Sequence, residues 1–178
     1  SEMCIRDSND AKLADAFKKA GNVVLPIYFD TRSAGRDQEV PDYLAKHSFK
    51  VIQGLGDEWA MSSVIWLSKI KPLLPSFAAI ADGIGHVNLF PDSDGSIRSQ
   101  VHAIGYTENI FIPSFPLAIV KTFKGLDDKQ IRLTLGKEID IRATPSKSIK
   151  IPASEVHMPA LIKWNAGPEI AFHSTPFR

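Results

Sequence analysis

The chain has one cysteine, Cys4, among its 178 residues. An internal disulfide is therefore impossible, and a zinc centre built on cysteines is excluded. Long hydrophobic runs are also missing. The longest, "IFIPSFPLAIV" (110–120), carries two prolines and a serine and falls short of the roughly 20 apolar residues that a membrane span needs. No sign of charge dominates: 21 Lys and Arg against 20 Asp and Glu leave a net +1, too little to steer nucleic acid or anionic lipid. The 10 Phe, 3 Trp and 3 Tyr are scattered and not interleaved with basic clusters, so no nucleic-acid partner is expected.

Several catalytic signatures are absent too. The five histidines, His47, His86, His102, His157 and His173, show no HxxH or HExxH spacing, so each reads as a surface or satisfied core residue. No G-x-S-x-G elbow and no lysine-bearing phosphate loop occurs. "GLGDEW" (54–59) lacks the third glycine of a dinucleotide loop. Asp57–Glu58 and Asp127–Asp128 are adjacent carboxylates, but acid–base work needs two carboxylates facing each other across a cleft. No catalytic residue, cofactor or metal is assigned.

What is present reads as a globular α/β chain. Hydrophobic residues make up 44% and charged residues 23%, ordinary for one domain with a real core. "SEMCIRDS" (1–8) shows neither helical nor strand periodicity and reads as a foreign scar, which leaves residues 9–178 as a single partial domain. "NDAKLADAFKKAG" (9–21) has an amphipathic pattern, with Asn9 or Asp10 as cap, Leu13, Ala16, Phe17 and Ala20 on one face, and Gly21 as stop. "NVVLPIYFD" (22–30) is a β-branched apolar run, a strand covered on both faces, with Pro26 pointing to an edge or a bulge. Residues 31–50 read as a polar surface excursion, and a helix is expected from about Ser76 to Ala81.

"GHVNLF" (85–90) and "SIRSQVHAIGY" (96–106) are both strand-like and flank "PDSDG" (91–95). The pattern predicts a β-hairpin over about 85–106, with Asp side chains capping their own backbone and Gly95 at positive φ. His86 and His102 lie on the two strands and form the one histidine pair brought near each other. Ser114 is a natural N-cap for a helix ending at Gly125, with Leu117, Val120 and Phe123 towards the core. "KEIDIRA" (137–143), "SIKIPA" (148–153) and "ALIKWNAG" (160–167) read as strands.

Calcium is a natural question at "PDSDG". An EF-hand register that places Gly95 sixth puts Phe90 first and Val101 twelfth, and neither can ligate. The turn reading stands, and Arg98 follows closely enough to pair with Asp92 or Asp94. Its alternative role is a cation offered to an anionic ligand or a partner subunit.

Three segments in order resemble the CHASE2 family: "GHVNLFPDSDGSIR" (85–98), "PSFPLAIVK" (113–121) and "WNAGPEIAFHSTPF" (164–177), with "LADAFKKAGNVVLPIYF" (13–29) fitting an earlier region. The family's opening strand–helix unit is not found, so the resemblance is to an incomplete domain. It implies an extracytoplasmic (periplasmic) sensor domain of a bacterial membrane-bound signalling protein: a nucleotide cyclase, a diguanylate cyclase or phosphodiesterase, or a histidine kinase. The implied partners are a small-molecule or envelope signal and the membrane, through helices outside this sequence, with a homodimer left open. Asp92, Asp94, Gly95 and Arg98 are the ligand-rim or turn candidates, with His86 and His102 secondary. The expected fold is a mixed β-sheet flanked by helices. The alternative from another class is a soluble metal-dependent hydrolase using Asp92 and Asp94.

Overall fold

The computed structural model describes residues 2–31, 39–144, 146–153 and 159–161, with only the backbone described at 2–8 and 159–161. The chain runs α1 (Glu2–Ala20), β1 (Val24–Phe29), α2 (Asp42–His47), β2 (Val51–Gln53), α3 (Glu58–Ser62), β3 (Ile65–Trp66), β4 (Ile70–Lys71), α4 (Pro75–Ala78) and β5 (Gly83–His86). It continues through β6 (Ser99–Val101), β7 (Ala103–Thr107), β8 (Ile110–Pro113), α5 (Phe115–Lys124), a 3-10 turn (Asp128–Gln130), β9 (Ile131–Thr134), β10 (Glu138–Thr144), β11 (Lys147–Pro152) and β12 (Pro159–Leu161). The class is α/β as expected. Instead of one sheet there are three small mixed ones, β4-β1-β5, β11-β10-β9-β2 and β3-β7-β8, and an antiparallel pair, β12-β6.

The sheet β3-β7-β8 is the wall between two cores. Phe111 and Ala103 face one core, with Phe49, Leu117, Leu133 and Ile139; the next residues, Ile112 and Ile104, face the other, with Ile27, Phe29, Leu44 and Ile84. Side chains alternate along a strand, so a wall wetted on neither side needs apolar residues at every position. That is why "IFIP" is an unbroken apolar run. Phe29, Phe111, Ile104, Ile112 and Leu133 are fully buried, each worth about 1.5–3 kcal/mol of transfer free energy.

The 85–106 hairpin does not form. β5 pairs in parallel with β1, from Val24↔Gly83 to Ile27↔His86, and β6 pairs with β12. All four residues of β5 are buried, which suits a strand covered on both faces and not one arm of a surface ribbon. The hairpin of this region is β7–β8, closed by Glu108 and Asn109 between Thr107 and Ile110. The sequence pattern had not pointed to it, although a two-residue polar interlude between apolar runs is a hairpin signal.

Other expectations shift in detail. α1 starts at Glu2, because no Gly or Pro interrupts the backbone before Gly21 and a nucleated helix extends cheaply; neither Asn9 nor Asp10 caps it. Its apolar face is thinly covered: Leu13 is 44% exposed, and the firm contact is Phe17 on Phe77 of α4, ring centroids 5.5 Å apart. Pro26 pairs with Gly85 in the β1–β5 ladder, while β4 joins β1 only at Tyr28 and Phe29, so no donor is needed from Pro26 on its other edge. The 31–50 stretch is not wholly a surface excursion, since α2 buries Leu44 and His47. α4 ends at Ala78, short of the expected Ala81. The segment 164–177 and most of "ALIKWNAG" lie outside the described residues.

α5 keeps its caps: Ser114 Oγ accepts from Leu117 N–H, and Gly125 ends the helix at φ 60°. Its buried face differs from the expected one. Leu117 and Ala118 are buried, whereas Val120 is exposed and Phe123 is 80% exposed. The cause lies in β5. A Cβ on Gly85 would fall 2.6 Å from Phe115 Cα, and one on Gly83 would fall 2.7 Å from Thr122 Oγ1. The helix rests directly on two glycines, and the line of residues at 114, 118 and 122 is the one turned to the strand.

Candidate functional site

The "PDSDG" loop is a self-contained turn. Gly95 N–H donates to Asp92 O and Asp92 N–H to Ser96 O, both at 2.8 Å, with Gly95 at φ 81°. Ser96 N–H donates to Asp94 Oδ1 at 3.0 Å. Arg98 then closes the loop: Nη1 donates to Asp92 Oδ2 at 2.9 Å and to Asp94 Oδ1 at 3.0 Å, and Nη2 donates to Asp94 Oδ2 at 2.6 Å. The guanidinium holds Asp94 ionised, down to about 2, and in return Arg98 is raised. The four rim candidates therefore come together on the surface, with their charges satisfied by one another.

The segment that leads from β5 into this turn faces the opposite way to the expected strand. His86 and Asn88 are buried, while Val87 and Leu89 are 41% and 54% exposed. Asn88 explains half of the inversion: Phe29 N–H donates to its Oδ1 at 2.9 Å, and its Nδ2 donates to Phe29 O at 2.8 Å. The amide thus carries the β1–β5 pairing on from Ile27 to Phe29. Nothing in composition distinguished Asn88, although a polar residue at an inward strand position is the available signal.

The paired histidines meet through a serine. His86 forms an isolated parallel bridge with Ser114, and His102 Nδ1 lies 2.8 Å from Ser114 Oγ. His86 is fully buried, and neither of its ring nitrogens has a partner among the described residues. Burial, then the neighbouring His102, lowers its pKa to about 3, and burial lowers that of His102 as well. Both imidazoles are neutral near pH 7. Ser114 is itself buried and serves as the helix cap, so its hydroxyl is taken up by packing, while the His102 ring is partly exposed.

A third place went unmarked in the sequence. A cavity of about 30 Å³, room for a water or two, opens between the C-terminal end of α2 and α5. His47, Ser48 and Lys50 line one side, Lys121 and Asp128 another, and Asp82 a third, over an apolar wall that includes Ile84 and Leu117. His47 is 8% exposed and its buried Nε2 has no partner among the described residues. Burial, then the charge of Lys46, drops its pKa to about 4. Elements far apart in the chain build this cavity, and so no local spacing announced it.

No three His, Cys, Asp or Glu side chains gather to hold a metal among the described residues, and no helix there is long and apolar enough to cross a membrane. The family model of the CHASE2 domain matches residues 1–178. The chain belongs to the CHASE2 family. These are extracellular sensory domains and not catalysts. No curated protein and no solved structure matches the chain.

Proposed function

We propose that this CHASE2 domain is the signal-input unit of a bacterial membrane-bound receptor, lying on the periplasmic face and driving a nucleotide cyclase, a diguanylate cyclase or phosphodiesterase, or a histidine kinase. The observation that carries the reading is the family match along the whole sequence. A sensor needs differential binding to two conformations and no chemistry, which suits a chain whose buried Ser114 hydroxyl is engaged as a helix cap. In this reading Asp92, Asp94, Gly95 and Arg98 fix the turn that ends the β5 segment and present it at the surface. No observation favours the metal-dependent hydrolase: Asp92 and Asp94 are engaged by Arg98, with no third ligand beside them among the described residues.

The experiment is to sequence the gene past both ends. Apolar segments of roughly 20 residues before residue 9 and after Arg178, followed by an output domain, support the receptor topology. A stop codon soon after Arg178, with no upstream span or export signal, overturns it.

A further inference from the structure

We propose that the free edge of β2 takes up a short, extended, apolar peptide that runs antiparallel to the strand and sets its C-terminal carboxylate beside Lys50. β2 is the end strand of its sheet and pairs with β9 alone. On the β9 side, Leu135 N–H donates to Gln53 O at 3.0 Å. Successive residues of a parallel strand turn their peptide groups to alternate edges, so Ile52 directs its N–H and C=O away from β9. Neither meets a partner among the described residues, and such an edge is a template for another strand.

A groove of about 390 Å³ follows β2 from the C-terminal end of α2 to the β7–β8 turn at Asn109. That lies within the roughly 300–1,000 Å³ of sites that hold small ligands. Its apolar surface is made by Phe49, Ile52, Leu55 and Ile110. Ile52 packs against one core and Ile110 against the other, yet both stay half-buried because the sheet ends there. An added strand would cover them. Lys50 is the one charged residue in the groove wall. Its Nζ meets neutral oxygens, the Ala45 carbonyl and, at 3.4 Å, the Ser48 hydroxyl, and an ammonium has a third donor to give. Of the charges next in sequence, Lys46 and Glu108 are of opposite sign, and Asp57 is engaged as the cap of α3. The groove therefore favours a single negative charge.

Lys50 precedes β2, so an antiparallel peptide ends beside it when its last residue lies two past the one opposite Ile52. That opposite residue exchanges both backbone bonds with Ile52, and its side chain and the last one fall on the face that carries Ile52. A fatty acid would match the charge and the apolar surface but leave the Ile52 peptide groups unmet. That such a peptide is the signal rests on the sensor reading; that it binds does not.

The test uses the full 178-residue chain and acetyl-leucyl-alanyl-leucine, followed by heteronuclear NMR. Saturable shifts are expected at the Ile52, Asn109 and Ile110 amides. The C-terminal amide of the peptide should bind about tenfold more weakly, the scale of one charge-assisted hydrogen bond. Lys50→Gln should weaken the free acid to that level and leave the amide form where it was, a pattern that general loosening of the fold would not give. N-methylation of the first leucine removes the donor to Ile52 O and should weaken binding about tenfold. Lys124→Gln, beside Phe123 and away from the groove, should change nothing. The proposal is overturned if the shifts do not saturate, if acid and amide bind alike, if the N-methylated peptide binds as its parent does, or if octanoate saturates the groove at lower concentration than the peptide. None of these touches the sensor reading, which the flanking gene sequence decides.

Discussion

The Ser114 hydroxyl serves His102 and α5 together: Oγ lies 2.8 Å from His102 Nδ1 and accepts from Leu117 N–H at 3.4 Å. One buried oxygen thus joins the loop before β7 to the start of the helix that packs on β5. Ser114→Ala removes a cap, worth about 1 kcal/mol, and leaves the partly buried Nδ1 of His102 without its serine, about 1–3 kcal/mol more. A loss of roughly 2–4 kcal/mol in urea unfolding is expected, with helical circular dichroism retained. A loss no larger than that of an ordinary exposed cap would show that His102 finds water instead.

Acid should destabilise the fold through its buried imidazoles. Folded His86 and His47 titrate near 3 and 4, against 6.5 for the ordinary group. Between pH 6.5 and about 4 the unfolded chain binds protons at these positions that the folded chain refuses, so stability rises with pH across that window and is lost on acidification. At 1.36 kcal/mol per unit, the pair costs on the order of 5 kcal/mol by pH 4. Urea midpoints measured from pH 7 to 4 should fall steeply, and His86→Phe should flatten part of the slope. An unchanged midpoint over that range contradicts neutral burial.

Two glycines separate space from backbone strain. At Gly85 an added Cβ meets backbone, 2.6 Å from Phe115 Cα and 2.7 Å from Ser114 O, which neither β5 nor α5 can yield without parting. At Gly95 nothing lies within 4 Å, but φ is +81°. Gly85→Ala should therefore cost about 3 kcal/mol or more, and Gly95→Ala roughly 1–2 kcal/mol. Thermal melts of the two variants rank them directly, and the reverse order would place α5 further from β5.

Much of the local structure was legible in the sequence, and its assembly was less so. Ser114 and Gly125 announced α5 by chemistry that acts within a few residues, and β10 and β11 followed from alternation. The strand character of 85–90 was legible, but its partner was not: whether β5 pairs backwards with β6 or in parallel with β1 depends on which surface covers Gly83 and Gly85, and both are covered by a helix 30 residues on. The same long-range packing turned Phe123 outward and His47 inward. In the candidate site, the Arg98–Asp94 contact lay within reach of reading because its partners are four residues apart, whereas the cavity at His47 draws on α2, β5, β8, α5 and β9 and has no local signature.

The turn itself yields the most direct electrostatic test. Asp94 is held at about 2 instead of its ordinary 3.8, first by Arg98 and then by Ser96 N–H. A carboxyl lowered in the folded state adds stability above its ordinary value and loses it as pH falls towards 2. The side chains are half exposed, however, and solvent and salt screen such a pair. Arg98→Gln should accordingly return the Asp94 titration, followed by carboxyl carbon NMR, most of the way to its ordinary value. The melting temperature should barely move, and amide exchange at Ser96 should quicken as the loop loosens. In the receptor, signalling that survives Arg98→Gln assigns these charges to the turn alone; signalling lost from a domain that melts normally makes the loop a contact for ligand or partner.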